Sequence, residues 1–365
     1  MLRPVDRDPM NLETLQLFRR AMGPHSRLDD PDVVHDFLKR VSDSLAGNKT
    51  NGPRLKGIRT QALFAQLILA MDGCELMLTV DAGDIYTDGF ISSGDFLLTL
   101  RDGRRLLVEV KTVSRSYNGN GKINIERSAN KSLRAKEVNG LRRAATLLGA
   151  EPFYAAYYEF VDHWALIRLE DLTPKGSNYT LKFSQDMVRN HMGDLGDRSI
   201  GVEPPIEIRS YPRAGHEPDL GAASEEGLYS VRIDRRTVHV GGKLITDPKD
   251  AEFAKFLGLY GHWAPKTVPA ILGNKISYVS LYSEPEEPVE GQGFQIIGPL
   301  SYLFSRYFMV HTINNNRKPT ALDIEATPSL IADFLARAPR DRQFPTWQFN
   351  MKPASTKASA GHSDR

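Results

Sequence analysis

Asp95, Glu109 and Lys111 are the residues whose types and spacing suit chemistry best. They stand in one stretch, GDFLLTLRDGRRLLVEVKTV, residues 94–113. An acidic residue opens an apolar run, Asp102-Gly103 gives a turn signal, and a second apolar run carries Glu109 and Lys111 one residue apart. This pattern predicts a β-hairpin with strands Asp95–Leu100 and Leu106–Val113. Side chains alternate faces along a strand, so Leu107, Glu109 and Lys111 share one face. A register of matching parity brings Asp95 back toward Glu109. Two carboxylates and an ammonium group then converge on an otherwise apolar ribbon. Such a spot is unfavourable unless something charged occupies it.

The elements that must position these residues can be read on either side. Asp30-Pro31 is a helix start, and Val34, Phe37, Leu38, Val41 and Leu45 follow as an apolar stripe that Gly47 ends. A loop is predicted over 48–56, then a largely buried helix from Ile58 to Asp72 with Gly73 as its cap. Cys74–Val80 reads as a strand. Residues 114–130 are polar and rich in Gly and Asn, which predicts a mobile loop. Lys131–Leu148 reads as a helix, and Pro152–Phe160 and Trp164–Leu169 as strands. The second half predicts a hairpin (Leu228–Asp234, Thr237–Ile245), helices at Ala251–Tyr260 and Thr327–Ala336, and a strand at Ile276–Tyr282. The domain boundaries expected are 1–200, 227–350 and a disordered tail at 351–365.

Composition excludes several classes. The 365 residues are 41% hydrophobic and 25% charged, as in an ordinary globular protein. Net charge is only +2, so the distribution of charge matters more than its sum. Between Arg101 and Arg143 stand twelve Lys and Arg against four Asp and Glu, a local excess of eight positive charges that suits a phosphate backbone. One cysteine, Cys74, permits no intrachain disulfide and fits a reducing compartment. No apolar signal segment opens the chain and no run spans a membrane, so a cytoplasmic location is expected. The histidines are scattered without zinc-site spacing. Gly119-Asn120-Gly121-Lys122 lacks the remaining residues of a phosphate loop, and neither a Gly-x-Ser-x-Gly elbow nor an RNP pattern is present.

Asp95 with Glu109-x-Lys111, on two strands preceded by a helix and a strand and followed by a helix and a strand, resembles the PD-(D/E)xK nuclease superfamily. The resemblance covers residues 57–170. It implies an α/β fold with a restriction-endonuclease-like αβββαβ core, joined here to a second α+β domain. It implies metal-dependent cleavage of DNA phosphodiesters, of the kind found in restriction or anti-phage defence effectors. Asp95 and Glu109 match the metal-binding carboxylates, with the backbone carbonyl of Val110 as a further ligand. Lys111 matches the lysine that steadies the phosphate and the attacking water. Gln61, in Gly57-x-x-x-Gln61, stands where the family often has a glutamate, and Gly94 where it often has proline. The implied cofactor is Mg²⁺, with Mn²⁺ able to substitute. Mg²⁺ prefers hard oxygen ligands and retains several waters, so two carboxylates and a carbonyl suit it. Arg104, Arg105, Arg115, Lys122 and Lys136 are the candidate DNA contacts. The second domain is expected to select the substrate, form a homodimer or dock a protein partner.

Two other readings compete. An acidic-x-Lys pair on a strand is often no more than a solvent-facing ion pair. With Gln61 in place of a carboxylate, the fold would then serve as a catalytically silent module that binds DNA or a protein. In the other reading the chain is an assembly subunit whose second domain does the main work.

Overall fold

The computed structural model describes residues 2, 9–23, 26–80, 86–219, 231–314, 318–324 and 328–354. The predicted helix start at Thr327, residues 228–230 of the predicted hairpin and 355–365 of the predicted tail lie outside the described residues.

Three helices, α1 (Pro9–Met22), α2 (Pro31–Thr50) and α3 (Gly52–Met71), lead into the first sheet. Asp30 caps α2 by accepting the Asp32 N–H, with Pro31 at the first position. Gly47 does not end α2, and no loop follows. Asn51 alone separates α2 from α3, and its side chain accepts the Arg54 N–H to start the second helix. The apolar stripe of α2 is mostly in solvent. Phe37 is buried against Phe18 of α1, while Leu38 and Leu45 are 59% and 57% exposed. Apolar periodicity made the helix legible here, although most of the stripe is not core. Asp72, not Gly73, takes the left-handed cap position of α3 at φ 56°. Gly73 is needed for another reason: the Leu195 backbone comes so close that a Cβ would lie 2.0 Å from its carbonyl oxygen.

Strands β1 (Cys74–Thr79), β2 (Phe96–Leu100) and β3 (Arg105–Val113) form an antiparallel meander. A short helix α4 (Ile125–Ser128) and strand β4 (Asn130–Leu133) precede helix α5 (Ala135–Leu148) and strands β5 (Glu151–Tyr158) and β6 (His163–Arg168). The sheet order is β1-β2-β3-β5-β6, with β3 and β5 parallel and the other pairs antiparallel. A parallel pair needs a crossover, and α5 lies on that connection. The element order αβββαβ is therefore present in a mixed α/β architecture. The segment predicted as a mobile loop is ordered by a Tyr117↔Ile123 bridge, α4 and β4. Residues 130–133 are strand rather than helix because they pair with β8 (Asn178–Lys182), which also pairs with β7 (Thr173–Lys175).

Helix α6 (Phe183–Asp186) and strand β9 (Ser199–Val202) lead to a second five-stranded sheet. It is built from β10 (Ile206–Pro212), β11 (Ile233–Val240), β12 (Lys243–Ile245), β13 (Lys266–Leu272) and β14 (Lys275–Ser283), in the order β12-β11-β10-β14-β13. The hairpin turn falls at Gly241-Gly242, later than predicted, because Ile233–Val240 runs as one strand. Helix α7 (Pro248–Tyr260) packs on this sheet, and its aromatic face is core: Phe253 and Leu257 are fully buried. Strand β9 pairs with both β15 (Gln295–Pro299) and β16 (Thr346–Phe349). Helices α8 (Leu300–Thr312) and α9 (Pro328–Ala336) pack against α3.

Alternation along β3 divides the interior into two cores. Leu106, Val108 and Val110 face α3, in one cluster that continues to Phe253, Leu303, Phe308 and Phe334 of the second half. Leu107 and Val113 face α5, with Val138, Leu141 and Tyr154. Trp164 of β6 donates to Ser305 of α8 at 2.9 Å, which ties the first sheet to the second half. Cys74 is buried in the first cluster, and burial pushes its thiol up to about 12. Among the described residues no helix is long and apolar enough to cross a membrane.

Candidate active site

The hairpin turn closes as its sequence predicts, with Leu100 N donating to Arg104 O and Gly103 N to Leu100 O. The ladder then runs Thr99↔Arg105, Leu98↔Leu106, Leu97↔Leu107, Phe96↔Val108. Asp95 follows at its end, its N–H donating to Val108 O at 2.8 Å. The same register, continued one step, sets Asp95 across from Glu109. The turn into Asp95 depends on Gly94, whose φ is +73°. Proline fixes φ near −65°, so this backbone excludes it.

The Asp95 carboxylate is only 6% exposed and is met from two directions. Gln61 Nε2 on α3 donates to Oδ1 at 2.6 Å, and the Val110 N–H of β3 donates to Oδ2 at 2.6 Å. A carboxylate only accepts, so the Gln61 amide must present its NH₂ here. A residue's N–H and C=O leave a strand on the same edge, so the Val110 carbonyl also faces the Asp95 side.

Glu109 and Lys111 lie on the α5 face with Leu107 and Val113, as the alternation requires. Their side chains meet at 2.5 Å and are 15% and 27% exposed. Asp95, Gln61 and Val110 are thus joined directly, and the Glu109–Lys111 pair stands on the neighbouring strand. Among the described residues no group of three or more His, Cys, Asp and Glu side chains gathers in a metal cage. Carboxylate and carbonyl oxygens are the donor chemistry that suits Mg²⁺, which binds through one or two carboxylates together with waters and substrate oxygens.

Sequence reasoning missed three neighbours of this site. Tyr154 of β5 pairs in register with Glu109, and burial, then Glu109 and Glu137, raise its phenol. Lys131 of β4 has its ammonium pKa lowered, first by burial and then by the nearby charges of Lys111 and Lys56. Glu137 of α5 acts on both and is held by Arg134. Lys131 was hidden by its assignment to a helix; its pairing with Leu181 sets its position, and no local signal announces that.

The candidate DNA contacts are scattered. Arg104 is bound to Asp102 at 2.8 Å and Asp194 at 3.1 Å, at the hairpin tip and roughly 17 Å along β3 from Glu109. Arg105, beside it, is exposed. Lys122 is exposed on the turn closed by the Tyr117↔Ile123 bridge. Lys136 is exposed with its ammonium 4.4 Å from the centre of the Phe90 ring. Arg115 lies just past the carboxyl end of β3, its Nε donating to Glu159 O at 2.6 Å. There it borders a cavity of about 910 Å³ that Lys56, Arg59 and Thr60 of α3 also line.

No protein-family model matches the chain, and no curated protein matches it. Among solved structures, Hjc, a Holliday junction resolvase from the archaeal hyperthermophile Archaeoglobus fulgidus, aligns at 20% sequence identity. The alignment covers 35% of this chain and 91% of that one, with a TM-score of 0.26. A likeness of this size does not fix the fold, which rests on the strand order and register above.

Proposed function

We propose that the chain is a metal-dependent nuclease of the restriction-endonuclease-like, PD-(D/E)xK type that hydrolyses DNA phosphodiester bonds, as a restriction or anti-phage effector does. The observation that carries this is the Asp95 carboxylate, fixed by Gln61 and the Val110 N–H at the mouth of the strand that bears Glu109 and Lys111. A buried carboxylate held in this way, in register with a second one, supports a cation site.

Asp95, Glu109 and the Val110 carbonyl would hold Mg²⁺, with Mn²⁺ as a substitute. When bound, the ion supplies a polarised phosphate and a water acidic enough to attack at neutral pH. The chain's own groups do the remaining work. Gln61 keeps one Asp95 oxygen oriented without adding a charge. Lys111, next to Glu109, presents an ammonium group to the charge that accumulates on the phosphate oxygens. Lys131 and Lys56 extend the positive field beyond Lys111 and attract the DNA backbone.

Gln61 also favours a second reading, a DNA-binding module without catalysis, because a neutral amide stands where a further carboxylate would complete the ligand set. Supercoiled plasmid and linear duplex incubated with Mg²⁺, Mn²⁺ or EDTA separate the two, beside Glu109→Ala and Lys111→Ala. The nuclease cleaves only with metal, and both variants are silent. Absence of cleavage by the wild type, with DNA binding unchanged in both variants, overturns the catalytic reading.

A further inference from the structure

The cavity beyond the carboxyl ends of β3 and β5 has a charge imbalance that goes beyond Lys56 and Arg115. Four cationic side chains line it, Lys56, Arg59, Arg115 and Arg306, against two carboxylates, Glu159 and Asp162. Both carboxylates already have partners. Glu159 binds Lys56 at 3.0 Å and the Arg115 N–H at 3.0 Å. Asp162 accepts from the Tyr157 hydroxyl at 2.8 Å and lies 3.7 Å from Arg115. Arg59 and Arg306 have no carboxylate within ion-pair distance among the described residues.

Arg59 is the more telling of the two. It is 7% exposed and carries a charge that burial disfavours. Its Nε donates to Ala321 O at 3.2 Å and its Nη2 to Thr312 Oγ1 at 2.5 Å, while Phe308 lies 5.8 Å beneath. These contacts fix the guanidinium plane and leave Nη1 without a hydrogen-bond partner among the described residues. Glu159 acts on the guanidinium through space without an ion pair and is itself held by Lys56, so burial still outweighs the compensation and an anion at Nη1 would relieve it. Guanidinium groups match phosphate through paired N–H donors. The amino end of α3 opens onto the same space and adds its own positive potential. The cavity is larger than a lone phosphate needs, and Leu63, Phe308 and Ile313 give it apolar wall for a sugar and base.

We propose that this cavity holds the terminal phosphate and first nucleoside of a DNA strand, so that the protein works from a strand end. Ser114 and Arg115 border the cavity and lie roughly 10 Å along the chain beyond Lys111, a few nucleotides of a bound strand. The anion site stands on the cavity's own residues; its assignment to DNA rests on the nuclease reading.

The test is binding in EDTA, where no metal-dependent cleavage occurs, followed by fluorescence anisotropy. Three versions of one single-stranded DNA are compared: 5′-phosphorylated, 3′-phosphorylated and hydroxyl-ended. One phosphorylated end is expected to bind about tenfold more tightly than the hydroxyl-ended strand. Arg59→Gln and Arg306→Gln are each expected to abolish that preference. Arg306 is half-buried and, among the described residues, hydrogen-bonded only to the Tyr302 hydroxyl, so its variant keeps the test intact if Arg59→Gln fails to fold. Equal binding of all three strands by the wild type overturns the proposal, as does a preference that survives in Arg306→Gln. A deoxynucleoside monophosphate that binds as tightly as the phosphorylated strand would assign the cavity to a free nucleotide and overturn the strand-end role. The plasmid assay is read independently. A phosphate preference without cleavage leaves the cavity standing and removes the nuclease; cleavage without a preference does the reverse.

Discussion

Gln61→Glu is the substitution that tests the geometry of the site most directly. It replaces the amide that donates to Asp95 at 2.6 Å by a second carboxylate and changes almost no volume. If both groups stay ionised at a separation of roughly 4 Å, the repulsion at an effective dielectric constant of about 20 is about 4 kcal/mol. Protonating one of them at pH 7 costs about 1.4 kcal/mol per pH unit above its ordinary value near 4, again about 4 kcal/mol, and restores a hydrogen bond. The two routes share a ceiling. Gln61 is half-buried, so solvent screening lowers the expected loss to about 2–3 kcal/mol. Unfolding entropy of about 2.1 cal/mol/K per residue over 365 residues makes each kcal/mol worth about 1.3 °C, so the midpoint falls by about 3–4 °C. The sign with pH is fixed. Crowding raises the folded pKa of one carboxylate, so the penalty is present above that pKa and disappears as pH falls through it. Thermal melts of wild type and variant in EDTA at pH 7, in EDTA at pH 5, and in Mg²⁺ at pH 7 read all three effects. The loss should be full in the first condition, fall to about a third of that at pH 5, and be relieved by Mg²⁺. A variant that melts with the wild type there refutes the Gln61–Asp95 contact. A variant destabilised there but rescued by neither acid nor Mg²⁺ refutes the idea that both groups face a common cation position.

Two further outcomes follow from the packing. Gly94→Ala places a Cβ 3.0 Å from Leu107 while the backbone must hold φ at +73°, so a loss of about 1–3 kcal/mol is expected in a urea titration, together with weaker cleavage. Gly94→Pro should be worse, and a Gly94→Pro protein as stable as the wild type would contradict the turn described. Asp186 is buried beneath Tyr158 and the Lys182 N–H, and burial pushes its carboxyl up to about 6 from an ordinary 3.8. Stability from its protonated form is fully present below the ordinary value and is lost as pH rises through 6, an effect on the order of 3 kcal/mol. Asp186→Asn, whose amide oxygen can accept both bonds, should be flat across that window and more stable at pH 7. An unchanged pH profile would remove Asp186 as its cause.

The hairpin that carries Asp95, Glu109 and Lys111 was legible because its information is local. An Asp-Gly turn, two apolar runs and strict alternation are enough to put Glu109 and Lys111 on one face and Asp95 opposite. The helices were legible as helices, although their ends and partners were less so. Gly47 reads as a stop signal, but the turns around it keep α2 intact to Asn51. Leu38 and Leu45 read as core because periodicity reports a face and cannot say whether anything covers it. Lys131 was placed on a helix because its neighbours are good helix formers, and a strand almost fifty residues later overrides them. The cavity was invisible for the same reason in stronger form. Arg59 meets Thr312 and Ala321 across more than 250 residues, and no spacing rule reaches that far.

The shared core has a consequence for the order of events during synthesis. The first sheet is complete once β6 has left the ribosome, but one of its faces waits for α8, which ends roughly 140 residues later. At about 5–20 residues per second, the part of that face beyond α3 and the seat of Arg59 stay uncovered for on the order of 10 s. During that interval the hairpin of Asp95, Glu109 and Lys111 has its sheet partners, while the α8 residues that wall the neighbouring cavity are absent. A cavity walled by both halves of the chain would in this way stay open-sided in the nascent protein and close only when α8 docks.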